Sequence, residues 1–218
     1  MSTVLEPTTE SPPQTLADLV KRLGDIPLDR IRIQPPPGTA TEDDLIQTKL
    51  CELIDGVIVE KAVGYFESRL GMLLGRLLDE FAEEHDLGFV VGADGMTRLR
   101  PTKVREPDVA FYRWERVPNR EVPQVAVANI APDLAVEVYS RGNTQREMQQ
   151  KRDDYFAAGV QLVWIAYPLK RTVEIWSGIE DCLTLTEDDT LDGGNVLPGF
   201  KLSIRDWFER AGRGFQKP

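Results

Sequence analysis

The stretch Leu134-Ala-Val-Glu-Val-Tyr139 gives the main signal for the fold, together with Pro107-Asp-Val-Ala-Phe-Tyr112, which precedes it along the chain. Each stretch predicts a short strand that is nearly apolar on both faces, as in a sheet covered on both sides. The carboxylates of Asp108 and Glu137 would then enter the interior of the protein. An ionised carboxylate is rarely buried without a partner or a metal ion, and Lys151 follows soon after. Together these residues predict a metal site.

The composition is that of an ordinary globular protein. The chain has 218 residues, of which 41% are hydrophobic and 28% charged, and this suits one domain with a core of its own. No apolar run approaches the roughly 18 residues of a membrane span, and no signal sequence is visible, so we expect a cytoplasmic protein with no membrane partner. The net charge of -10 argues against a broad non-specific nucleic-acid surface, although a local basic groove remains open.

Cysteine and histidine are too scarce for most zinc chemistry. Cys51 and Cys182 lie far apart in sequence, and a disulfide is not expected between them in a reducing compartment. Two thiols do not make a zinc site, and His85 is the single histidine of the chain. A site built on a histidine pair is therefore nearly excluded, and carboxylates are left as the candidate metal ligands.

The chain divides into two tails, an accessory segment and a main domain. Residues 1–13 are rich in Ser, Thr, Glu and Pro and predict a disordered tail. Residues 14–50 predict N-terminal accessory helices, one of them N-capped by Thr41. Residues 51–210 predict the main domain, and residues 211–218 predict a C-terminal tail.

The order of elements in the main domain predicts an α/β fold with a mixed sheet. A hairpin turns at Asp55-Gly56 and leads into the longest helix, over 63–84. A second hairpin is predicted to join 89–91 to 97–99, ahead of the strands that carry Asp108 and Glu137. The remaining predictions are a helix over 144–158 that begins with a capping box, strands at 162–167, 172–176, 182–186 and 200–204, and a short helix near 206–210.

Charged residues break the apolar pattern of these elements at three positions. Glu67 falls within the apolar stripe of the longest helix, Glu137 lies inside its strand, and Lys151 lies on the inward face of the helix over 144–158. Asp108 joins them at the mouth of its strand. A hard cation such as Mg²⁺ binds a few carboxylate oxygens together with carbonyl oxygens and waters, and two neighbouring strands can supply these ligands.

The ordered set of Pro107-Asp108, Glu137-Val138-Tyr139-Ser140 and Lys151, followed by Tyr155-Phe-Ala-Ala-Gly159, resembles the PD-(D/E)XK nuclease superfamily. More specifically, it is similar to the restriction endonuclease family of the Uma-two type, over about residues 51–176. The resemblance implies a restriction-endonuclease-like core with helices flanking a central mixed sheet. It implies that Asp108 and Glu137 hold Mg²⁺, for which Mn²⁺ could substitute, and that the Val138 carbonyl completes the protein ligands. A metal-bound water would then attack a phosphodiester of DNA.

The sequence departs from the superfamily pattern at one position. The lysine expected two residues after Glu137 is Tyr139, and Lys151 resembles a migrated lysine on the following helix. The additional early acid of such nucleases resembles Glu52 or Glu67. The common early histidine of the family is absent, and Glu67 lies near where it would fall.

Simpler structural roles remain open for these residues. Asp108 could begin a strand after a proline, and Lys151 could extend its ammonium to the surface. Glu52 could face solvent in its hairpin. Glu67 could pair in the core with an arginine, such as Arg98 or Arg100.

Three functional hypotheses follow from the sequence. The first is a Mg²⁺-dependent DNA endonuclease, for which a homodimer is expected because cutting both strands usually takes two sites. The second is a catalytically weak or inactive relative that keeps the fold and binds nucleic acid or protein, and the tyrosine in place of the lysine favours it. The third is a metal-dependent hydrolase of another phosphoester. The sequence indicates neither a recognition site nor a preference for modified DNA.

Overall fold

The structure is a computed structural model that describes residues 13–213. Of the predicted tails over 1–13 and 211–218, residues 1–12 and 214–218 lie outside the described residues, whereas the helix predicted near 206–210 continues through Gly212. The strands are β1 (Cys51–Ile54), β2 (Val57–Glu60), β3 (Gly88–Gly92), β4 (Met96–Arg100), β5 (Lys103–Arg105), β6 (Val109–Arg113), β7 (Val127–Ala128), β8 (Leu134–Val138), β9 (Leu162–Tyr167), β10 (Thr172–Trp176), β11 (Cys182–Leu185), β12 (Thr190–Asp192) and β13 (Lys201–Ser203). The α-helices are α1 (Leu16–Arg22), α2 (Glu42–Ile46), α3 (Tyr65–Glu84), α4 (Gln145–Ala157) and α5 (Ile204–Gly212).

The strands form two large sheets and one small one. A five-stranded sheet has the order β2-β1-β5-β4-β7, and a six-stranded sheet has the order β11-β10-β9-β8-β6-β3. β12 and β13 pair with each other. β8 is parallel to β9 and antiparallel to β6, so the predicted α/β fold with a mixed central sheet is confirmed. Between residues 13 and 213, no helix is both long and apolar enough to cross a membrane.

β8 lies in the middle of the six-stranded sheet, and all five of its residues are buried. Leu134, Val136 and Val138 belong to the main core, which α3 covers. Ala135 packs on the opposite face together with residues of α4. Because side chains alternate between the faces of a strand, Glu137 lies on the same face as Ala135 and points toward α4.

α3 covers the first of these faces with an amphipathic stripe. Leu70, Leu74 and Leu78 are fully buried in the main core, and their four-residue spacing places them on one side of the helix. The helix begins at Tyr65 rather than at the predicted Val63, which precedes it and is 68% exposed. The predicted long helix is otherwise confirmed.

α4 packs on the second face, between the two large sheets. The predicted capping box is present, since the Thr144 hydroxyl accepts a hydrogen bond from Glu147 N and the Glu147 carboxylate accepts one from Thr144 N. Met148 and Tyr155 join the apolar cluster on this face. Gly159 follows the helix with a φ of +89°, the left-handed conformation that often ends a helix.

The N-terminal segment packs on the five-stranded sheet and also contacts α4. Leu23 and Ile31 lie on one face of that sheet, and Leu45 of α2 lies in a cluster on the other. Arg30 donates two hydrogen bonds to the carboxylate of Glu147, at 2.7 and 3.0 Å. The accessory helices predicted for this segment are therefore present at α1 and α2, and a buried ion pair joins the segment to the main domain.

One of the two predicted hairpins is present in the structure and the other is not. The first is confirmed, because β1 pairs with β2 across a turn in which Asp55 and Gly56 both have positive φ. The second is wrong: β3 pairs with β6 along all five of its residues, whereas β4 pairs with β5 and β7 in the other sheet. The Gly-rich turn between them carries the chain from one sheet to the other. β5, β7 and β12 were not predicted.

Candidate functional site

Asp108 immediately precedes β6, and Glu137 lies in the neighbouring strand β8. β6 and β8 pair with Val109 opposite Val136, and extending this antiparallel register by one residue places Asp108 opposite Glu137. The Oδ2 atom of Asp108 accepts a hydrogen bond from Val138 N at 2.8 Å. The Asp108 side chain thus continues the strand ladder beside the strand of Glu137, as the sequence suggested for acids on adjacent strands.

Glu137 is buried and fully engaged by α4. Its side chain is 4% exposed. Lys151 Nζ donates to both carboxylate oxygens, at 3.1 and 3.0 Å, and the Tyr155 hydroxyl donates to Oε1 at 2.5 Å. Burial raises the pKa of Glu137 to about 7, although the Lys151 charge opposes this effect. The carboxyl group therefore gains or loses its proton near neutral pH.

Lys151 joins Glu137 to a second carboxylate, on the five-stranded sheet. Its Nζ atom lies 3.0 Å from Oε1 of Glu52. Burial alone would lower the pKa of Lys151, but the charges of Glu137 and Glu52 outweigh it and raise the pKa. Lys151 is therefore protonated at neutral pH and acts as a cation rather than as a base. Its predicted inward orientation is correct, and the alternative of a surface lysine is wrong.

Arg105 continues this chain of charges from β5. It donates to Glu52 Oε2 at 2.7 Å and to Asp154 at 2.6 Å. Although burial opposes the change, Lys151 and Arg105 together hold the pKa of Glu52 well below its usual range. Glu52 is 1% exposed, so its solvent-facing alternative is wrong. The burial of Arg105 was not predicted, because Lys103 and Arg105 alternate with Val104 on β5 in a way that is typical of a solvent-exposed strand.

A surface cleft opens at Asp108. It is bordered by Lys61, Glu67, Asp108 and Val138, together with part of α3 and the β3–β4 turn. The Asp108 side chain is 24% exposed, whereas Glu137 and Lys151 are buried. The cleft therefore gives a solute access to Asp108, and Glu137 is not among the residues that border it.

Lys61 binds Asp108 from the end of β2. Its Nζ atom donates to Asp108 Oδ1 at 3.3 Å, to Glu106 O at 2.6 Å and to Ala93 O at 3.2 Å. A role for Lys61 was not predicted, because a lysine that follows a hairpin strand is usually solvated. Its signal is visible only in three dimensions, where β2 and the β3–β4 turn meet.

Glu106 is a third residue, after Arg105 and Lys61, that the sequence did not predict. It is 1% exposed, and burial raises the pKa of its carboxyl group to about 7. Its backbone N–H donates to Glu52 Oε1 at 3.2 Å, while its own Oε2 atom has no hydrogen-bond partner among the described residues. A buried carboxyl group two residues before Asp108 adds to the acidic character of the site.

Glu67 borders the cleft at the start of α3. Its carboxylate lies over Gly64, where a Cβ atom would come within 2.0 Å of Oε2. The alternative of a core pair with an arginine is wrong for Arg98, which donates to Glu42 instead. Within residues 13–213, Glu67 forms no ion pair. The structure thus brings Glu67 to the same cleft as Asp108, at its wall.

Tyr139 takes the place of the lysine that the superfamily pattern expects. Its hydroxyl donates to Asn143 O at 2.9 Å, and its ring lies against Tyr167 with centroids 5.3 Å apart. Tyr139 therefore has a packing role at the start of the β8–α4 connection. Lys151 of α4 brings its ammonium to Glu137 instead, as the interpretation of a migrated lysine requires.

The residues present fit a magnesium ion in the chemistry of their donors. The carboxylates of Asp108 and Glu137 and the carbonyl of Val138 would supply hard oxygen ligands, and Mg²⁺ usually keeps several waters and binds only one or two carboxylates. No group of three or more His, Cys, Asp or Glu residues able to hold a metal ion occurs in the part of the chain that the structure describes. A metal here would thus be held by two carboxylates, a carbonyl and water.

Comparisons with known proteins find a matching family and a similar solved structure. The model of the Uma2 family, described as "Putative restriction endonuclease", matches residues 43–205. A crystal structure of "a putative nuclease belonging to DUF820" from Anabaena variabilis is similar, with a TM-score of 0.68 and 18% identity. The alignment covers 78% of this chain and 98% of that one, and at this identity it shows a shared fold alone. No curated protein matches the chain.

Proposed function

The chain belongs to the Uma2 family of restriction-endonuclease-type proteins, and from this premise we propose that it is a Mg²⁺-dependent DNA endonuclease that hydrolyses phosphodiester bonds. The observation that carries the proposal is the placement of Asp108 opposite Glu137 in the extended register of β6 and β8, with Asp108 bordering an open cleft. Two neighbouring carboxylates, one exposed to the cleft and one buried, match the needs of a hard cation that must also reach a substrate.

Each residue has a distinct role in this proposal. Asp108, Glu137 and the Val138 carbonyl hold Mg²⁺, with Mn²⁺ as a possible substitute. The bound ion supplies an activated water and neutralises the charge that develops on the phosphate. Lys151 orients the Glu137 carboxylate through two hydrogen bonds, and Glu52 holds Lys151 in turn.

Glu67 and the Tyr155 hydroxyl complete the proposed set of residues. Glu67 is the additional acid, and it lies at the cleft wall, where it can accept a proton from water. The Tyr155 hydroxyl donates to Glu137 and fixes the direction of its carboxylate. DNA is the proposed substrate, and a homodimer is the proposed assembly, because cleavage of both strands takes two such sites.

Plasmid nicking tests the proposal. Purified protein is incubated with supercoiled DNA, modified and unmodified, in the presence of Mg²⁺ or Mn²⁺ and in EDTA. We expect nicked and linear products only with the metal. Asp108→Asn and Glu137→Gln should each reduce the rate by about a hundredfold or more, because each removes charge from a ligand of the ion that stabilises the transition state.

Glu84→Gln is the matched control for these variants. Glu84 is exposed at the end of α3, away from the cleft, and its loss should leave the nicking rate unchanged. The proposal fails if the wild-type protein cleaves none of these DNA substrates. It also fails if Asp108→Asn and Glu137→Gln retain full activity, since a contaminating nuclease would then account for the products.

A second candidate is a catalytically weak or inactive member of the family that binds nucleic acid or protein. Two observations favour it: Tyr139 stands in place of the lysine and packs against Tyr167, and each of the two acids already has a lysine partner. Calorimetric titration with Mg²⁺ and Mn²⁺ separates the candidates. A protein that binds neither ion at millimolar concentration supports the binding module and contradicts the nuclease.

A further inference from the structure

Lys61 is the ammonium group that the cleft presents beside Asp108. Two of its three hydrogen bonds go to backbone carbonyls, Glu106 O at 2.6 Å and Ala93 O at 3.2 Å. The third goes to Asp108 Oδ1 at 3.3 Å. Because main-chain atoms hold the ammonium independently of Asp108, its positive charge stays at this place whatever the Asp108 carboxylate binds.

Lys61 and Lys151 pair with different members of the two acids. Lys151 binds Glu137 and Glu52 and is buried. Lys61 borders the cleft together with Asp108 and Val138, although its side chain is only 4% exposed. Lys61 thus pairs with Asp108 and Lys151 with Glu137, and a cation that enters the cleft meets the charge of Lys61 first.

A divalent cation at Asp108 would compete with Lys61 for the same carboxylate. Oδ2 accepts the Val138 N–H and Oδ1 accepts a hydrogen bond from Lys61, so a cation that binds Oδ1 meets the Lys61 ammonium at the same oxygen. Two positive groups within a few ångströms of each other repel strongly, because the interaction varies inversely with distance and is least screened where water is excluded. Lys61 should therefore weaken the binding of the ion, while it neutralises Asp108 whenever the ion is absent.

We propose that Lys61 is a counter-cation of this site: it holds Asp108 in position in the metal-free protein and competes with the divalent ion for Asp108 Oδ1. It is a positioning residue, since it acts through Asp108. The inference rests on the proposed function, because it assumes that the metal binds at Asp108. It goes beyond that function in assigning a role to a residue outside the proposed ligands and their supports.

Calorimetric titration of Mn²⁺ into Lys61→Gln tests this role without any activity measurement. The glutamine amide can still donate to the two backbone carbonyls but carries no charge. We expect Mn²⁺ to bind about fivefold or more tightly than to the wild-type protein, because a nearby repulsive charge has been removed. A lysine that served only to stabilise the fold would give the opposite result, since a displaced Asp108 binds the ion more weakly.

Lys103→Gln is the matched control. Lys103 donates to Asp154 at 2.6 Å in the same group of buried charges but does not contact Asp108. Its variant changes the net charge equally and should leave the Mn²⁺ affinity unchanged. If the wild-type protein binds Mn²⁺ and Lys61→Gln binds it equally well or more weakly, the inference about Lys61 fails and the proposed metal site is unaffected. If neither protein binds Mn²⁺, the proposed metal site is overturned together with it.

A measurement on the wild-type protein keeps the inference testable if Lys61→Gln does not fold. The ¹⁵Nζ resonances of the buried lysines can be followed by NMR during a titration with Mg²⁺. We expect the Lys61 resonance to shift in proportion to the bound metal, because its hydrogen bond to Asp108 is replaced, and the Lys103 resonance to stay in place. A Lys61 resonance that does not move at saturating Mg²⁺ contradicts competition for Asp108.

Discussion

Glu137 shows what burying a carboxylate requires. Removal from water favours the neutral form, which raises the pKa to about 7, and the residue stays inside because three hydrogen bonds from Lys151 and Tyr155 replace those lost from water. Glu106 is buried with fewer partners, and its pKa is also raised to about 7. Both carboxyl groups bind protons more strongly in the folded protein than in the unfolded chain.

This difference sets the direction of the pH dependence of metal-free stability. A carboxyl group with a raised pKa in the folded state stabilises the protein below its unfolded pKa, and this contribution is lost as the pH rises to about 7. We expect Glu137→Gln, which resembles the protonated acid, to match the wild-type melting temperature in EDTA near pH 5. It should exceed that temperature by a few degrees near pH 8.

The measurement is a series of thermal melts in EDTA across this pH range. Glu84→Gln, at an exposed position, should follow the wild-type curve throughout. A Glu137→Gln protein that is much less stable at every pH would contradict the prediction. That outcome would show that Glu137 has a structural role as a hydrogen-bond acceptor that a glutamine cannot fill.

At the scale of elements, α4 connects the parts of the molecule. One face of this helix carries Lys151 and Tyr155 to Glu137, and its first turn carries Glu147 to Arg30 of the N-terminal segment. Burial opposes ionisation of Glu147, but the hydrogen bonds from Arg30 outweigh it and lower the pKa. A single helix thus positions the candidate site and holds the accessory segment in place.

The Arg30–Glu147 pair should contribute strongly to stability. Its two side chains are 11% and 1% exposed, so Arg30→Met leaves a buried carboxylate without its main partner. We expect a loss of about 3 kcal/mol in the free energy of unfolding at pH 7, measured by urea denaturation. The loss should shrink as the pH falls into the acid range, because protonation of Glu147 removes the charge that Arg30 balances.

Arg32→Met provides the matched control on the same segment. Arg32 pairs with Glu60 at 3.0 Å, but both side chains are more than 40% exposed. Exposed ion pairs contribute little, so this variant should lose less than about 1 kcal/mol. Equal losses for the two variants would mean that burial does not distinguish the pairs, and that the N-terminal segment is held by its apolar contacts alone.

At the scale of the whole molecule, the C-terminal helix closes the main core. Trp207 and Phe208 of α5 are buried against α3, and the indole N–H of Trp207 donates to Leu70 O at 3.1 Å. The same α3 forms one wall of the cleft. The packing of α5 therefore stabilises the helix on which the proposed substrate groove depends.

Two substitutions at Trp207 separate packing from hydrogen bonding. Trp207→Ala should lower the free energy of unfolding by about 3–5 kcal/mol, because it leaves a large cavity in the core. Trp207→Phe keeps most of the apolar contact and should lose about 1–2 kcal/mol, mainly from the lost hydrogen bond to Leu70 O. Urea denaturation measures both, and equal losses would contradict the view that packing dominates.

Local sequence signals predict most of the helices and strands, and they indicate that Asp108 and Glu137 lie on adjacent strands. Apolar periodicity predicts α3, the capping box predicts α4, and the Asp55-Gly56 turn predicts the β1–β2 hairpin, because these signals depend on neighbours within a few residues. Glu137 and Lys151 could be assigned to the interior for the same reason: each interrupts an apolar pattern whose direction is known.

Strand pairing and the partners of the buried charges are visible only in the three-dimensional structure. β3 and β4 are adjacent in sequence but join different sheets, since pairing with β6 and β5 outweighs a local turn. Glu52, Arg105 and Lys61 come from separate strands of the five-stranded sheet or their ends, and they reach Glu137 and Asp108 only where that sheet meets the six-stranded sheet and α4. Their partners lie 32 or more residues away in sequence, and no local pattern records contacts at that separation.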